Sequence, residues 1–262
     1  MKKMFACSVV PFMLFTAACS VEMEENLSSN DGQKQTEEKE IGSVQENQLV
    51  LENEYFNALE TVEGEDVITN PENILVLVNK EYTLPADYKP KDLTVPNVPF
   101  SFGEADVPQK YIRKEAAAAL EKLFDGAKKN SIELFAVSGF RSYDRQENIL
   151  DQEITSKGEA KAEQAVAHPG QSEHQTGLAM DISSRSADLE ISKKFGETKE
   201  GKWVKENAYK YGYIIRYPED KAEVTEYQYE PWHLRYVGEK TAKVLHEKNL
   251  TLEEYFEQVK KI

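Results

Sequence analysis

Residues 172–183 read Ser-Glu-His-Gln-Thr-Gly-Leu-Ala-Met-Asp-Ile-Ser. This stretch places a histidine and an aspartate seven residues apart, with a glycine hinge between them. The run that holds Asp181 is mostly apolar and reads as a strand. His174 therefore belongs to a loop and Asp181 to the strand that leaves it. Further along, Tyr229 to Tyr236 reads Tyr-Glu-Pro-Trp-His-Leu-Arg-Tyr and adds His233, with Glu230 three residues ahead of it.

Two His, one Asp and one Glu make a catalytic-metal set. Zinc at such sites takes three protein ligands and leaves the fourth position for water. A carboxylate outside the ligand set then takes that water's proton. His174, Asp181 and His233 are the candidate ligands, and Glu230 is the candidate base. Singly, each has an ordinary structural explanation. A lone histidine is more often surface or hydrogen-bonded than a ligand, and His168 and His246 fit that description. The conjunction carries the reading. Thiolate ligation is excluded in the body of the chain, because the two cysteines, Cys7 and Cys19, both lie near the N-terminus.

Charge narrows the partners. The formal net charge is −15, and residues 20–66 alone hold 14 acidic and 2 basic side chains, a net of −12. Phosphate backbones are neutralised by Lys and Arg, so nucleic acid is not an expected partner.

The N-terminus divides into segments. Met1-Lys2-Lys3 is basic, Phe5 to Ala18 is mostly apolar but short for a membrane span, and small residues lead into Cys19. This pattern resembles a bacterial lipoprotein signal over 1–18, with Cys19 lipidated; Thr16 departs from the aliphatic residue usual at that position. An ordinary secretory signal is the alternative, and both put the protein outside the cytoplasm. Residues 19–66 read as an acidic disordered tether that buries too little to order itself, with a short helix over Leu49–Leu59. The domain is expected over 67–262.

Within it, Ile74 to Val78 reads as a buried strand, and prolines 85, 90, 96 and 99 mark an extended segment. A helix is expected from Arg113 to Lys129. The strand Leu134 to Val137 leads into Ser138-Gly-Phe-Arg-Ser142. Asp144 is expected to cap the next helix, with Glu147 as its capping-box partner. A helix over Lys199–Tyr211 ends at Gly212, strands follow at Tyr213–Tyr217 and Trp232–Val237, and a helix covers Glu239–Lys248. Thr251 with Glu254 is a capping box for a last helix.

Three blocks carry a family resemblance: Ser138-Gly-Phe-Arg-Ser142 with Gln146, Ser172-Glu-His-Gln-Thr-Gly-Leu-Ala-Met-Asp181, and Glu230-Pro-Trp-His233. Together they resemble the VanY-type D-alanyl-D-alanine carboxypeptidases and the similar LdcB-type L,D-carboxypeptidases of bacterial peptidoglycan. The stretch Ile74 to Phe102 also resembles them, and inclines the reading towards the L,D type. The resemblance implies an α+β fold, with a central, mainly antiparallel sheet flanked by helices and a zinc cleft (hedgehog/DD-peptidase-like). It implies the same zinc ligands and the same base. It adds Arg141 as the group that engages substrate and steadies the oxyanion, with Gln146 and Ser172 lining the pocket for a terminal D-alanine.

The function so implied is zinc-dependent removal of the terminal D-alanine from peptidoglycan stem peptides, either the tetrapeptide (L,D) or the pentapeptide (D,D). An endopeptidase acting inside the stem peptide, or a non-catalytic cell-wall-binding module, are the alternatives. The expected partners are stem peptides and, through Cys19, the cell membrane; a monomer is expected.

Overall fold

A computed structural model describes residues 48–162 and 166–262. The expected signal segment 1–18, Cys19 and the tether up to residue 47 lie outside the described residues.

Four strands form the central sheet, in the spatial order Phe135–Ser138, Ala179–Ser183, His233–Tyr236, Tyr213–Ile215. Every pairing in it is antiparallel, as expected. The two inner strands alternate faces with period two. Met180, Ile182, Leu234 and Tyr236 join the main apolar core, whereas Asp181, His233 and Arg235 occupy the opposite face. The helix Lys114–Lys129 packs under the core face through Ala116, Leu120, Leu123 and Ala127, all fully buried. Tyr213 ties it to the sheet by donating from its hydroxyl to the Ala116 carbonyl at 2.6 Å.

Register then decides the site. His233 lies directly across from Asp181 in the ladder, and Arg235 across from Ala179. Asp181 also pairs with Ser138, where the outer strand shifts register between Ala136 and Ser138. Such irregularities re-aim side chains beside functional sites, and this one turns the chain towards Gly139–Arg141.

Several expectations are corrected. Ile74–Val78 is buried, with Leu75 and Leu77 in one apolar cluster and Val76 and Val78 in the other, yet it forms no strand. Side chains take the place of a ladder partner. The Asn57 amide donates to Leu77 O at 2.8 Å and accepts from Leu77 N at 3.1 Å. Arg235 Nη2 donates to Ile74 O and Val76 O at 3.0 and 2.8 Å.

The domain also begins before residue 67. Val50–Leu51 pairs in parallel with Lys260–Lys261. Leu59–Val62 pairs with Glu65–Ile68 through a hairpin whose turn residues Glu63 and Gly64 have φ of 54° and 94°, the conformation of a two-residue primed turn. The helix expected over Leu49–Leu59 is reduced to a single 3-10 turn at Asn53–Tyr55. The cap of the Tyr143–Lys157 helix is Ser142, whose hydroxyl accepts from Arg145 N at 3.3 Å, with Asp144 in the first turn. The Thr251–Glu254 capping box is present as expected.

Candidate metal centre

His174 sits in a 3-10 turn, Glu173–Thr176, that ends at Gly177 with φ 66°. A Cβ there would meet Leu93 and Arg113 side-chain atoms at 2.9 and 3.0 Å, so glycine is needed for space as well as for conformation. The turn hands the chain into the strand Ala179–Ser183, which delivers Asp181. His233 opens the facing strand, and Glu230 stands in the loop just before it.

Three buried donors converge. His174 Nε2 lies 3.2 Å from Asp181 Oδ2, and His233 Nδ1 lies 3.1 Å from Asp181 Oδ1. One ligand atom from each residue falls within 4.8 Å of the others, and among the described residues no other trio of His, Cys, Asp or Glu does so. The two imidazoles meet edge to face, with centroids 4.9 Å apart and planes at 81°. Asp181 Oδ1 is buried with no hydrogen bond, despite its neighbour at 3.1 Å. A buried carboxylate oxygen left unpaired costs stability. Lone pairs turned towards one point are what a tetrahedral cation needs, so this donor set fits zinc.

The far nitrogens are held as well. Gly139 O accepts from His174 Nδ1 at 2.8 Å, which leaves the Nε2 lone pair facing inward. His233 Nε2 lies 3.3 Å from Glu173 Oε2. Such partners fix the tautomer and orientation of metal-ligating histidines.

Electrostatics separate the two carboxylates near the centre. Burial opposes ionisation of Asp181, yet His174 and His233 hold it well below the usual range. Burial pushes Glu230 up to about 7, with the Asp181 charge adding to the rise. Its Oε2 is 3.8 Å from His233 Nδ1. A carboxyl group poised near neutrality beside a metal-type cluster is a suitable proton acceptor and donor. Burial would lower His233, but the nearby carboxylates of Asp181 and Glu173 raise it to about 9.

A cleft of about 240 Å³ opens over this cluster. Arg141, Gln146 and Ser172 all line it, so every residue expected from the sequence in the site meets there, except Cys19, which lies outside the described residues. Arg141 Nη1 donates to Gln146 Oε1 at 2.9 Å, and Gln146 Nε2 donates to Ala167 O at 2.7 Å. The helix capped by Ser142 thus holds the guanidinium through Gln146. His246 stacks on Tyr209 with centroids 3.8 Å apart, as a structural rather than a ligating histidine.

Sequence reasoning missed Glu173, Arg216, Arg235, Tyr217 and Tyr227. The two tyrosines line the cleft. Glu173, Arg216 and Arg235 have fully buried side chains, and both arginines pair with Glu173. A signal was available for the arginines: each interrupts an apolar strand sequence, Ile-Ile-Arg-Tyr and His-Leu-Arg-Tyr, and a charge there is buried only when paired.

Antiparallel sheet, cleft and a His–Asp–His cluster with a neighbouring carboxyl group define the class: a metallopeptidase-type site. Comparison with known proteins is specific. The profile of the family described as VanY, D-alanyl-D-alanine carboxypeptidase, matches residues 109–239. The YodJ protein of Bacillus subtilis (strain 168) is 56% identical over 253 residues, 94% of this chain and 92% of that one.

Among solved structures, the LdcB LD-carboxypeptidase, studied for its peptidoglycan recognition, superposes with a TM-score of 0.79 at 62% identity. That match covers 82% of this chain and all of the other. The vancomycin-resistance D,D-pentapeptidase VanY in complex with Zn(II) matches with a TM-score of 0.57 at 34% identity, over 70% of this chain and 98% of its own. The chain belongs to the VanY family of carboxypeptidases, and it is an enzyme of that class.

Proposed function

We propose that this protein is a zinc-dependent L,D-carboxypeptidase that removes the terminal D-alanine from the tetrapeptide stems of peptidoglycan. The observation that carries the reading is the convergence of His174 Nε2 and His233 Nδ1 on the two oxygens of Asp181, at 3.2 and 3.1 Å. The L,D assignment draws on the 62% identity with the LdcB LD-carboxypeptidase, against 34% with the D,D-pentapeptidase.

His174, Asp181 and His233 would hold the metal. When bound, zinc supplies a Lewis acid that polarises the scissile carbonyl and acidifies water. The chain's own groups do the rest. Glu230, ionised at neutral pH once a cation is beside it, accepts a proton from the attacking water. It then passes that proton to the nitrogen of the departing D-alanine. Arg141 offers paired, permanently charged donors to the developing oxyanion. Gln146 orients that guanidinium, and Ser172 lines the pocket for the small terminal residue.

Zinc-loaded protein incubated with defined tetrapeptide and pentapeptide, with products identified by mass, tests the assignment. Release of D-alanine from the tetrapeptide supports the L,D reading. Release from the pentapeptide alone makes the enzyme D,D-specific, cleavage within the stem makes it an endopeptidase, and cleavage of neither sinks the function.

The same reading extends to the N-terminus: Cys19 carries a lipid that holds a monomeric enzyme on the outer face of the cell membrane. Its support is the Met1–Cys19 sequence pattern. Among the described residues no helix is long and apolar enough to cross a membrane. Metabolic labelling with a fatty acid should mark the wild type and not Cys19→Ala; equal labelling would refute the anchor.

A further inference from the structure

The metal-type cluster rests on a second set of buried charges. Glu173 adjoins His174 in sequence, but its side chain runs under the facing strand and is fully buried. Its two oxygens divide the work. Oε1 accepts from Arg216 Nε at 2.8 Å and from Arg235 Nη1 at 2.5 Å. Oε2 is left for His233 Nε2, at 3.3 Å.

Both arginines are themselves pinned. Arg216 is bidentate to Glu253 of the C-terminal helix Leu252–Gln258, at 2.9 and 2.5 Å. Arg235 donates to the carbonyls of Tyr236, Ile74 and Val76. Both Glu173 oxygens are thus engaged, by two arginines and by His233, and its side chain is closed off from solvent. It is a mount.

What it mounts is one particular nitrogen. A neutral imidazole carries one N–H and one lone pair, and the partner of one nitrogen fixes the role of the other. A carboxylate at Nε2 requires the proton there, which gives Nδ1 the lone pair. Nδ1 is the nitrogen that faces Asp181 at 3.1 Å and Glu230 at 3.8 Å. His174 is arranged the opposite way, with a backbone carbonyl on Nδ1 and its Nε2 turned inward. The two histidines thus present different nitrogens, and the unlike partners Gly139 O and Glu173 account for the difference.

We propose that Glu173 is a positioning residue of the metal centre, holding the Nε2–H of His233 so that its Nδ1 joins His174 Nε2 and the Asp181 carboxylate as a ligand. The proposal rests on the reading of these three residues as a zinc site. It also joins the centre to the C-terminal helix through Arg216 and Glu253, and to the 74–76 segment through Arg235.

The test compares Glu173→Gln with Glu253→Gln, which disturbs the same charge cluster without touching His233. Zinc affinity is measured by chelator competition, melting temperature is measured alongside, and ¹⁵N spectra of the zinc-loaded protein identify the bound nitrogen of each histidine. Glu173→Gln should weaken zinc binding by about 10- to 100-fold, the range for partners of metal-ligating histidines. Glu253→Gln should lower the melting temperature yet leave zinc affinity within about twofold, since it acts on no histidine. In the wild type, His233 should bind through Nδ1 and carry its proton on Nε2.

Attachment of wild-type His233 through Nε2 overturns the proposal whether or not any variant folds. So does a Glu173→Gln protein that binds zinc as the wild type does. Equal loss of affinity in both variants reduces Glu173 to a merely structural role. A wild type that takes up no zinc sinks the functional reading itself, which separates that failure from the others.

Discussion

Replacing Gly139 with alanine should damage the metal centre from a position that carries no ligand. A Cβ built on Gly139 falls 2.5 Å from Tyr111 O, 2.8 Å from Ile112 Cγ2 and 3.0 Å from Gln109 O. None of these can move away cheaply. Gln109 O and Tyr111 O are the acceptors for Gly139 N and Phe140 N, at 2.8 and 2.7 Å, and Ile112 is fully buried. The strand end must therefore shift by several tenths of an ångström. With it goes Gly139 O, which holds His174 Nδ1 at 2.8 Å, and Arg141 two residues on.

Forced overpacking of this kind costs about 1–3 kcal/mol. At about 2–4 °C per kcal/mol for a domain of this size, melting should fall by roughly 2–12 °C. Loss of the carbonyl that orients His174 should add a fall of about 10- to 100-fold in zinc affinity. The control is Gly64→Ala. Gly64 has φ +94° with nothing within 4 Å of an added Cβ, so its cost is backbone strain alone, roughly 1–2 kcal/mol, with zinc binding untouched. Calorimetry and chelator competition read both quantities. Gly139→Ala with wild-type melting and wild-type zinc affinity would refute the argument that this close approach sets the ligand.

Three further outcomes follow from the same geometry. Arg141→Lys keeps the charge but loses the paired donors that reach Gln146 and Ser138; turnover should fall by about 10²–10³-fold with folding intact, as steady-state rates and circular dichroism would show. In metal-free protein, His233 is raised from 6.5 to about 9. Its contribution to stability is full below pH 6.5 and is lost as pH climbs through 9, so the melting temperature should drop between pH 7 and 9. Zinc needs the neutral imidazole, so the stabilisation by zinc should grow over the same interval; a shrinking zinc effect would contradict the ligand role. A chain begun at residue 48 should melt well above one begun at residue 67. The shorter form loses the buried Leu51 and both Asn57 bonds to Leu77, together worth at least about 3 kcal/mol.

The site was more legible in the sequence than the fold around it. His174, Asp181, His233 and Glu230 belong to short motifs whose chemistry is stated by residue type, and the ladder register that sets His233 opposite Asp181 turns that chemistry into geometry. The helices with capping or amphipathic signals, such as Lys114–Lys129 and Leu252–Gln258, were legible for the same local reason. What escaped depends on partners far away in the chain. Ile74–Val78 has the composition of a strand, but the amide of Asn57 and the guanidinium of Arg235 take its backbone groups. Nothing in a local window records an arginine 159 residues distant. The hairpin at Glu63–Gly64 was hidden by the acidic composition of the segment around it, which resembles a solvated tether until Asn57 finds Leu77 and Asn70 and Asn73, from beyond the segment, donate to its Phe56 O and Tyr55 O. Glu173 stood inside the most informative motif and was passed over, because its role requires Arg216, Arg235 and His233 to arrive from later strands.

The central claim is that Glu230 is the proton-transferring base of a zinc carboxypeptidase, distinct from the three ligands. D-alanine release from the tetrapeptide by zinc-loaded Glu230→Gln, measured beside the wild type at matched zinc content, tests it most directly. Each protein should bind one zinc, with the rate lowered by about 10²–10⁴-fold in the variant. Wild-type release of D-alanine by Glu230→Gln would contradict it.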